Sequence, residues 1–195
     1  MGRQWESPPG NLFASTIIRL QPNDPAAASL AFVAAVAAHK AISKLSPFAI
    51  AQIKWPNDLL SLDGHKFCGI LLERCDDAVV AGFGVNLAHH PEGLDRPVTS
   101  IAAMGLIVPT PQEFLEILAA DFAASMLQWR TYGTAAIFTD WQNRAHPIGT
   151  MLTGQLPNGD AFGGAYTGLS DDGALMLRLA DGAIRVIHAA DVFLV

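Results

Sequence analysis

Apolar residues occur in short β-favouring runs and in two longer segments with helical spacing. The first run, 12–20, ends at Pro22 and Asn23, so it predicts a buried strand. Asp24 and Pro25 follow as a helix N-cap and a first-turn proline, and they open an amphipathic, alanine-rich stretch that continues to about Leu45. Small side chains on this predicted helix would let it lie close to a sheet.

Four short extended runs follow Pro47, and they predict that residues 51–87 are mainly sheet. Asp63 and Gly64 separate the second run from the third and give the turn signal of a β-hairpin, since glycine readily supplies a positive φ. The runs cover residues 51–55, 59–62, 66–74 and 78–87.

The second half of the chain predicts a long helix followed by a small β unit. Thr110, Pro111 and Glu113 form a capping box with proline at the first helical position, which predicts a helix over 111–130. A shorter helix is predicted over 135–144. From Gly149 onwards short β-like runs alternate with tight turns, which predicts a compact β-barrel and a domain boundary near residue 147. The runs are 149–156, 160–169, 173–179 and 183–188.

Composition limits the classes of protein that fit. The chain has 195 residues, 51% of them hydrophobic, and a net charge of −6, so it has a core but no general polyanion-binding surface. Its most apolar stretch, 26–38, is too short for a bilayer, and its first residues lack the apolar region of a signal peptide. We therefore expect a soluble, cytoplasmic protein that binds neither membranes nor nucleic acid.

Cysteine and histidine usage predicts neither disulfides nor a metal site. Cys68 and Cys75 lie in or beside one apolar run and are expected to be reduced. The six histidines show no metal-ligand spacing with a cysteine or a carboxylate, and we expect them at the surface. The chain contains no nucleophile elbow and no Walker loop.

The residues with the most informative chemistry lie in two neighbouring segments, Lys54-Trp55-Pro56-Asn57-Asp58 and the run that begins at Lys66. Two lysines on adjacent strands of an acidic protein would stabilise negative charge that develops during attack of a carboxylate on a phosphoryl group. The alternative is that both are solvated strand lysines. Asn57 and Asp58 would also build a turn, and Trp55 could be a core aromatic without any ligand.

A glycine-rich strand end supplies a weaker signal. Gly82, Gly84 and Asn86 belong to the sequence GFGVN. Glycines allow a ligand to approach the backbone, and an asparagine amide can bind a purine edge. Taken alone, this pattern does not identify a nucleotide site.

These segments together resemble the biotin protein ligases, also called biotin–[acetyl-CoA-carboxylase] ligases. Five segments occur in the order typical of that family, and KWPND followed by K-x-x-GIL is the most specific pairing. The segments are GRQWESPPGNLFAS (2–15), KWPNDLL (54–60), KFCGILLE (66–73), GFGVNL (82–87) and GLSDDGALMLRLADG (168–182), and the chain continues to DVF (191–193).

The resemblance implies an α/β (α+β) fold. A catalytic domain over 1–146, with a mixed sheet and flanking helices, would precede a small SH3-like β-barrel over 147–195. The implied reaction has two steps. Biotin's carboxylate attacks the α-phosphate of ATP, with Mg²⁺ present, to give biotinyl-5′-AMP and pyrophosphate. The adenylate then acylates a lysine of a biotin carboxyl carrier protein.

The resemblance also implies roles for individual residues. Lys66 corresponds to the lysine that contacts the biotin carboxylate and the α-phosphate, and Asp58 would lie near the acceptor lysine, where a carboxylate can orient or deprotonate the amine. We count these two as catalytic. The expected substrate-binding residues are Lys54, Trp55 and Asn57 in the pocket, Gly69, Ile70 and Leu71 on the biotin side, Gly84 and the adenine-contacting Asn86, and Arg3 and Trp5 at the end of an adenylate loop.

The resemblance also leaves questions open. The sequence begins at the last Gly-Arg of the family's adenylate loop, so we expect part of the biotin pocket and an N-terminal helix-turn-helix to be missing. Two alternatives follow: a ligase-like remnant that binds an adenylate or a carrier domain, and a lipoate or octanoate transferase. Whether the chain forms a homodimer is also open.

Overall fold

The computed structural model describes residues 8–94, 96–156, 159–188 and 191–194. Arg3 and Trp5 lie outside this part of the chain. The described residues form two helices, α1 and α2, and ten strands, β1 to β10. The helices are Leu30–Ser43 (α1) and Pro111–Gln142 (α2), and the strands are Leu12–Arg19 (β1), Ala51–Lys54 (β2), Asp58–Ser61 (β3), Lys66–Cys75 (β4), Ala78–Val85 (β5), Met151–Gln155 (β6), Ala161–Leu169 (β7), Leu175–Arg178 (β8), Ile184–Ile187 (β9) and Asp191–Leu194 (β10).

The first sheet has the strand order β1-β5-β4-β3-β2, and neighbouring strands pair antiparallel. The hairpin predicted at Asp63 and Gly64 is confirmed, since β3 pairs with β4 and Gly64 has a φ of 88°. Among the described residues, parallel pairing is confined to two isolated bridges, Ile53 with Ala145 and Lys66 with Val98. The strands of this sheet thus pair antiparallel, and the parallel component of the predicted mixed sheet is limited to these two bridges.

One face of this sheet packs against α1. Side chains along β5 alternate between buried and half-buried, as expected for a strand with one face in the core. Most residues of α1 are buried, and its alanines allow it to lie close to both β4 and α2. The prediction that β1 is buried was wrong in part, because its outward side chains include Ile17, which is 69% exposed.

Helix α1 begins later than the sequence suggested. Asp24 does not cap it: its carboxylate accepts the Gln21 N–H at 3.0 Å and forms a salt bridge with Arg130 at 2.9 Å. A 3₁₀ turn over Ala27–Ser29 then leads into α1. The Ser29 hydroxyl accepts a 2.8 Å hydrogen bond from the Trp129 ring N–H, which ties this turn to α2.

Helix α2 starts where the capping box predicted. The Thr110 hydroxyl accepts the Glu113 N–H at 3.2 Å, and the Glu113 carboxylate accepts the Thr110 N–H at 2.8 Å. The helix is interrupted at Gly133, whose φ of 76° and ψ of −168° are non-helical. The two predicted helices, 111–130 and 135–144, are therefore the two arms of one kinked segment.

The C-terminal strands form a second antiparallel sheet, with the order β10-β6-β7-β8-β9, and this unit is SH3-like. It packs against α1 and α2 at Gly173, which has a φ of 87°. A Cβ atom there would lie 2.9 Å from the ring of Phe32 and 3.0 Å from that of Phe138. Glycine is therefore required both for the turn and for this contact. Neither helix of the described chain is long and apolar enough to cross a membrane.

Candidate functional site

A carboxylate and two lysines meet at one end of the first sheet. Asp58 at the start of β3 accepts a short hydrogen bond from Lys66 Nζ, and the Nζ of Lys54 lies 3.7 Å from its other oxygen. The three side chains are only 17 to 20% exposed. Lys54 and Lys66 are therefore not solvated strand lysines, and that alternative interpretation of the pair was wrong. The cluster holds two positive charges and one negative charge, in a protein whose net charge is −6.

The two lysines do not lie on adjacent strands, as the sequence suggested. Lys54 ends β2 and Lys66 begins β4, and β3 lies between these strands. A strand with Asp58 at its first position thus brings a negative charge to both lysines. Charge-assisted hydrogen bonds of this kind are stronger than neutral ones, so Asp58 holds the ammonium of Lys66 over the sheet.

The turn between β2 and β3 is anchored from three directions. The Asn57 side chain donates to Ile70 O in β4 at 2.8 Å. The Trp55 ring N–H donates to Gly173 O at 3.0 Å, and the Trp141 ring N–H donates to Pro56 O at 3.2 Å. These bonds connect the turn to β4, to the β7–β8 turn of the C-terminal unit and to α2, and so fix the backbone that carries Asp58.

Trp55 and Ile70 have different surroundings from those expected of substrate-binding side chains. Trp55 is 5% exposed and its ring N–H is already bonded, so it lies beneath the site and supports the turn. The Ile70 side chain is 7% exposed and belongs to the core, while its carbonyl binds Asn57. Leu71, by contrast, is 63% exposed on the outward face.

Two glycines make a strip of bare backbone next to the charged cluster. Asp58 pairs with Gly69, Gly69 with Gly84, and Gly84 with Phe13, so these residues form one row across four strands. Residues directly opposite one another in antiparallel strands point to the same face of the sheet. The row therefore runs from a carboxylate, across a floor without side chains, to an aromatic ring that is 37% exposed.

Gly69 also makes room for Lys66. A Cβ atom at this position would lie 3.1 Å from Lys66 Nζ and 3.2 Å from its Cε. Such contacts are tighter than ordinary packing, so a larger residue would force the ammonium to shift by a few tenths of an ångström. Gly69 therefore has a steric role in addition to the expected backbone role, because its lack of a side chain lets Lys66 lie across β4.

Asn86 lies just beyond β5 and is tied to the segment after it. Its side chain donates to Thr99 O at 3.0 Å, its backbone N–H donates to Phe67 O at 2.8 Å, and its carbonyl accepts the Ile101 N–H at 3.0 Å. An asparagine amide has a second N–H and an acceptor oxygen, so this bond is compatible with a purine contact. The adenine role of Asn86 stays a prediction.

His146 was missed by the sequence analysis, which placed all histidines at the surface. It is 5% exposed, one ring nitrogen lies 3.0 Å from Gln52 Oε1, and Nε2 has no hydrogen-bond partner among the described protein atoms. Burial, together with the positive charge of Lys54, lowers the pKa of His146 from 6.5 to about 4. No local motif marks this histidine, because its burial depends on the packing of the C-terminal sheet.

Cys68 lies beneath the cluster and is chemically quiet. It is 1% exposed, and burial raises the pKa of its thiol to about 12, although Lys66 acts in the opposite direction. The thiolate is the reactive form of cysteine. Cys68 is therefore a core residue, as the sequence allowed.

The donor set of the site suits an anion better than a metal ion. Within the described ranges, no group of three or more His, Cys, Asp or Glu side chains could hold a metal. Asp58 is bonded to Lys66 and faces Lys54, which would compete with any cation. These residues do not form a protein-held Mg²⁺ site.

Family models match both parts of the chain. Residues 1–87 match the biotin/lipoate A/B protein ligase family, and residues 148–195 match the biotin protein ligase C-terminal domain. The fold and the site thus define a protein of the biotin and lipoate ligase class. The relatives are more specific: the chain is 40% identical to the biotin–[acetyl-CoA-carboxylase] ligase of Paracoccus denitrificans, an alignment that covers 98% of this chain and 83% of that protein. The chain belongs to the biotin protein ligase family.

Further relatives differ in length. The chain is 33% identical to the biotin–[acetyl-CoA-carboxylase] ligase of Mycobacterium tuberculosis over 75% of its own length, and the alignment spans 54% of that protein. It is 31% identical to the bifunctional ligase/repressor BirA of Bacillus subtilis, with coverage of 98% and 61%. The fold is similar to that of the biotin protein ligase from Aquifex aeolicus in complex with biotin and ATP, with a TM-score of 0.85, 19% identity, and coverage of 100% of this chain and 83% of that one.

Proposed function

We propose that the chain is a biotin–[acetyl-CoA-carboxylase] ligase, which forms biotinyl-5′-AMP from biotin and ATP and then transfers biotin to a lysine of a biotin carboxyl carrier protein. The observation that carries the proposal is the cluster of Lys54, Asp58 and Lys66 beside the bare backbone of Gly69 and Gly84. It offers positive charge and an accessible backbone side by side, which is what an acyl-adenylate requires.

In the first step a biotin carboxylate oxygen bonds to the α-phosphorus of ATP, and the bond to the β-phosphate oxygen breaks to release pyrophosphate. Negative charge accumulates on the phosphoryl oxygens as this happens, and a fixed ammonium group stabilises it without reorganisation. Lys66 is the residue we assign to this role, because Asp58 and Gly69 hold its ammonium in place. Lys54 adds a second positive charge, and Asn86 is assigned to the adenine.

In the second step the neutral amine of the carrier lysine attacks the acyl carbon, the bond from that carbon to the phosphate oxygen breaks so that AMP leaves, and the proton lost by the amine passes to Asp58 or to water. Asp58 is the carboxylate we assign to this amine. Since Asp58 accepts from Lys66 in the structure, it must release or share that bond in order to orient the incoming amine. Oriented amines react faster because the attack geometry is already set.

The finer parts of the proposal concern partners and boundaries. Mg²⁺ would arrive with ATP as part of the substrate, since this ion is commonly held by phosphates with few protein ligands. We propose a catalytic unit over 1–146 and an SH3-like unit over 147–195, supported by the C-terminal family match from residue 148 and by β6, which starts at Met151. We also propose that Arg3 and Trp5 contact the adenylate, and that the protein acts in the cytoplasm.

The test measures the two steps separately. Biotin-dependent exchange of pyrophosphate into ATP reports adenylate formation, and biotin transfer to a carrier domain reports the second step. We expect Lys66→Ala to reduce exchange by about 100-fold or more, the scale for loss of one charge-stabilising group. Lys44→Ala is the matched control: Lys44 also pairs with an aspartate, Asp121 at 2.7 Å, but it lies at the C-terminal end of α1, away from the cluster.

Three results would overturn parts of this proposal. No exchange by the wild-type chain, with no heat on titration with biotinyl-5′-AMP, would exclude a ligase. Exchange that is specific for lipoate or octanoate would replace biotin as the substrate. Equal exchange by Lys66→Ala and Lys44→Ala would remove Lys66 from the chemistry.

A further inference from the structure

The residue that leads into β1 is bonded to the segment that leaves β5. Asn11 precedes β1 and Asn86 follows β5. β1 and β5 pair Leu12 with Val85, so the two asparagines are the next residues beyond that pair. We infer that Asn11 is a positioning residue for the adenine side of the site and acts through the backbone of residues 88–89. The inference rests on the proposed function, because it uses the assignment of Asn86 to adenine.

The Asn11 side chain uses both of its polar atoms to hold residues 88–89. Its Oδ1 accepts the Ala88 N–H and the His89 N–H, each at 3.0 Å, and its Nδ2 donates to His89 O at 2.9 Å. Asn11 is 7% exposed, so these bonds are largely shielded from water. A shielded backbone N–H that loses its acceptor is costly, and this one side chain therefore ties the two segments together.

Gly10 makes a second contact between the same two segments. A Cβ atom at this position would lie 3.0 Å from the Cβ of Ala88, which is tighter than ordinary packing. This close approach is independent of the hydrogen bonds of Asn11. Residues 88–89 are thus held by two consecutive positions, one through packing and the other through its amide.

The rest of this loop connects residues 88–89 to the amide of Asn86. His90 Nδ1 lies 3.2 Å from Ser100 Oγ, and Ser100 is 1% exposed. The preceding residue, Thr99, accepts the Asn86 side-chain N–H on its carbonyl at 3.0 Å. A displacement of residues 88–89 is therefore passed along bonded groups to the carbonyl that orients the Asn86 amide.

The biotin side of the site has a different support. Its expected residues, Gly69, Ile70 and Leu71, belong to β4, which pairs with β5 through most of its length. The three bonds of Asn11 end on residues 88–89, after β5 has ended. Loss of the Asn11 amide should therefore weaken recognition of ATP more than recognition of biotin. A general loss of structure would weaken both.

Asn11→Ala removes the three bonds, and Asn23→Ala is the matched control because Asn23 is exposed in the turn after β1. In biotin-dependent pyrophosphate exchange we expect Asn11→Ala to raise the KM for ATP about 5- to 10-fold, the scale for loss of one or two hydrogen bonds, and the KM for biotin by less than about 2-fold. Asn23→Ala should match the wild type. An unchanged KM for ATP, or equal increases in both KM values, would overturn the inference.

Gly10→Ala tests the same contact from the neighbouring position while the Asn11 amide is kept. Its new Cβ would displace Ala88, so the KM for ATP should again rise while the KM for biotin stays near the wild-type value. This variant decides the question if Asn11→Ala does not fold. Thermal unfolding of each variant identifies those that are folded at the assay temperature.

Hydrogen–deuterium exchange tests the contact without activity. The Ala88 and His89 amides should be protected in the wild type and should exchange faster in Asn11→Ala. Asn11→Asp keeps an acceptor for both N–H groups and should preserve the protection. Equal rates in the wild type and Asn11→Ala would refute the contact. Protected amides in a wild-type chain that forms no adenylate would refute the proposed function, and with it the adenine role of Asn11, but would keep the contact.

Discussion

Acidification should destabilise this protein through His146. In the folded chain His146 is 5% exposed, its Nε2 has no partner among the described protein atoms, and Lys54 lowers its pKa in addition to burial. A proton added at Nε2 would place a second positive charge near Lys54 with no acceptor to receive it. In the unfolded chain the same imidazole is in water and takes up a proton freely.

The size of the effect follows from the two pKa values. The pKa of His146 is about 4 in the folded state and 6.5 in its ordinary state, a difference of about 2.5 pH units. Each unit corresponds to about 1.4 kcal/mol, so the largest loss of stability is about 3 kcal/mol. Between pH 6.5 and 4 the unfolded state binds a proton that the folded state does not, and stability therefore falls as the pH falls.

At pH 5 about 2 kcal/mol of this loss is already present, and above pH 6.5 it is absent. Domains of this kind are typically stable by about 5 to 15 kcal/mol, so the loss should be visible in equilibrium unfolding. His39 contributes in the same direction, because burial lowers its pKa too. Its effect cancels when variants at position 146 are compared with the wild type.

The assay is urea unfolding at pH 7.5, 6.0 and 5.0 for the wild type, His146→Gln and His89→Gln. Glutamine keeps an N–H that can reach Gln52 Oε1 but has no ionisable ring. His146→Gln will be less stable than the wild type at pH 7.5, and this gap should shrink by about 2 kcal/mol at pH 5. His89 is exposed, so His89→Gln should follow the wild type. If the free energies of unfolding of the wild type and His146→Gln change equally with pH, the role assigned to His146 is wrong.

Four further substitutions separate site geometry from stability. Gly69→Ala should reduce pyrophosphate exchange about 10- to 100-fold, because it displaces the Lys66 ammonium, with little change in melting temperature. Gly163→Ala, whose new Cβ would meet only ordinary contacts of 3.5 and 3.7 Å, should leave exchange unchanged. Trp55→Phe should cost about 1 kcal/mol in urea unfolding, because it loses the hydrogen bond to the C-terminal sheet. Thr110→Ala should cost about 1 kcal/mol in the same measurement, because it removes the cap of α2.

Features that depend on neighbouring residues were predictable from the sequence. The Thr110 capping box and the Asp63-Gly64 hairpin each need only a few consecutive positions to form, and both are present. The break in α2 was anticipated as well, since separate helices were predicted over 111–130 and 135–144, on either side of Gly133. Helix α1 shows the limit: Asp24 has the chemistry of an N-cap, but Arg130, distant in sequence, forms a salt bridge with it.

The candidate site likewise combines residues that local sequence predicts with contacts that only the folded chain reveals. Lys54, Asp58 and Lys66 were found because their spacing is specific, yet the strand order that places Asp58 between the lysines is a property of the sheet. His146 was not found at all. Its burial depends on the packing of the C-terminal sheet against the turn at Lys54, and no local pattern encodes that contact.

The turn that carries the charged cluster is held largely by residues that follow it by more than eighty positions. Trp141 binds Pro56 O, Gly173 O accepts the Trp55 N–H, and Phe193 faces Lys54. These contacts fix the backbone of the turn, and with it the positions from which Lys54 and Asp58 extend. A substitution in the C-terminal unit that disturbs them can therefore alter adenylate formation without touching a substrate.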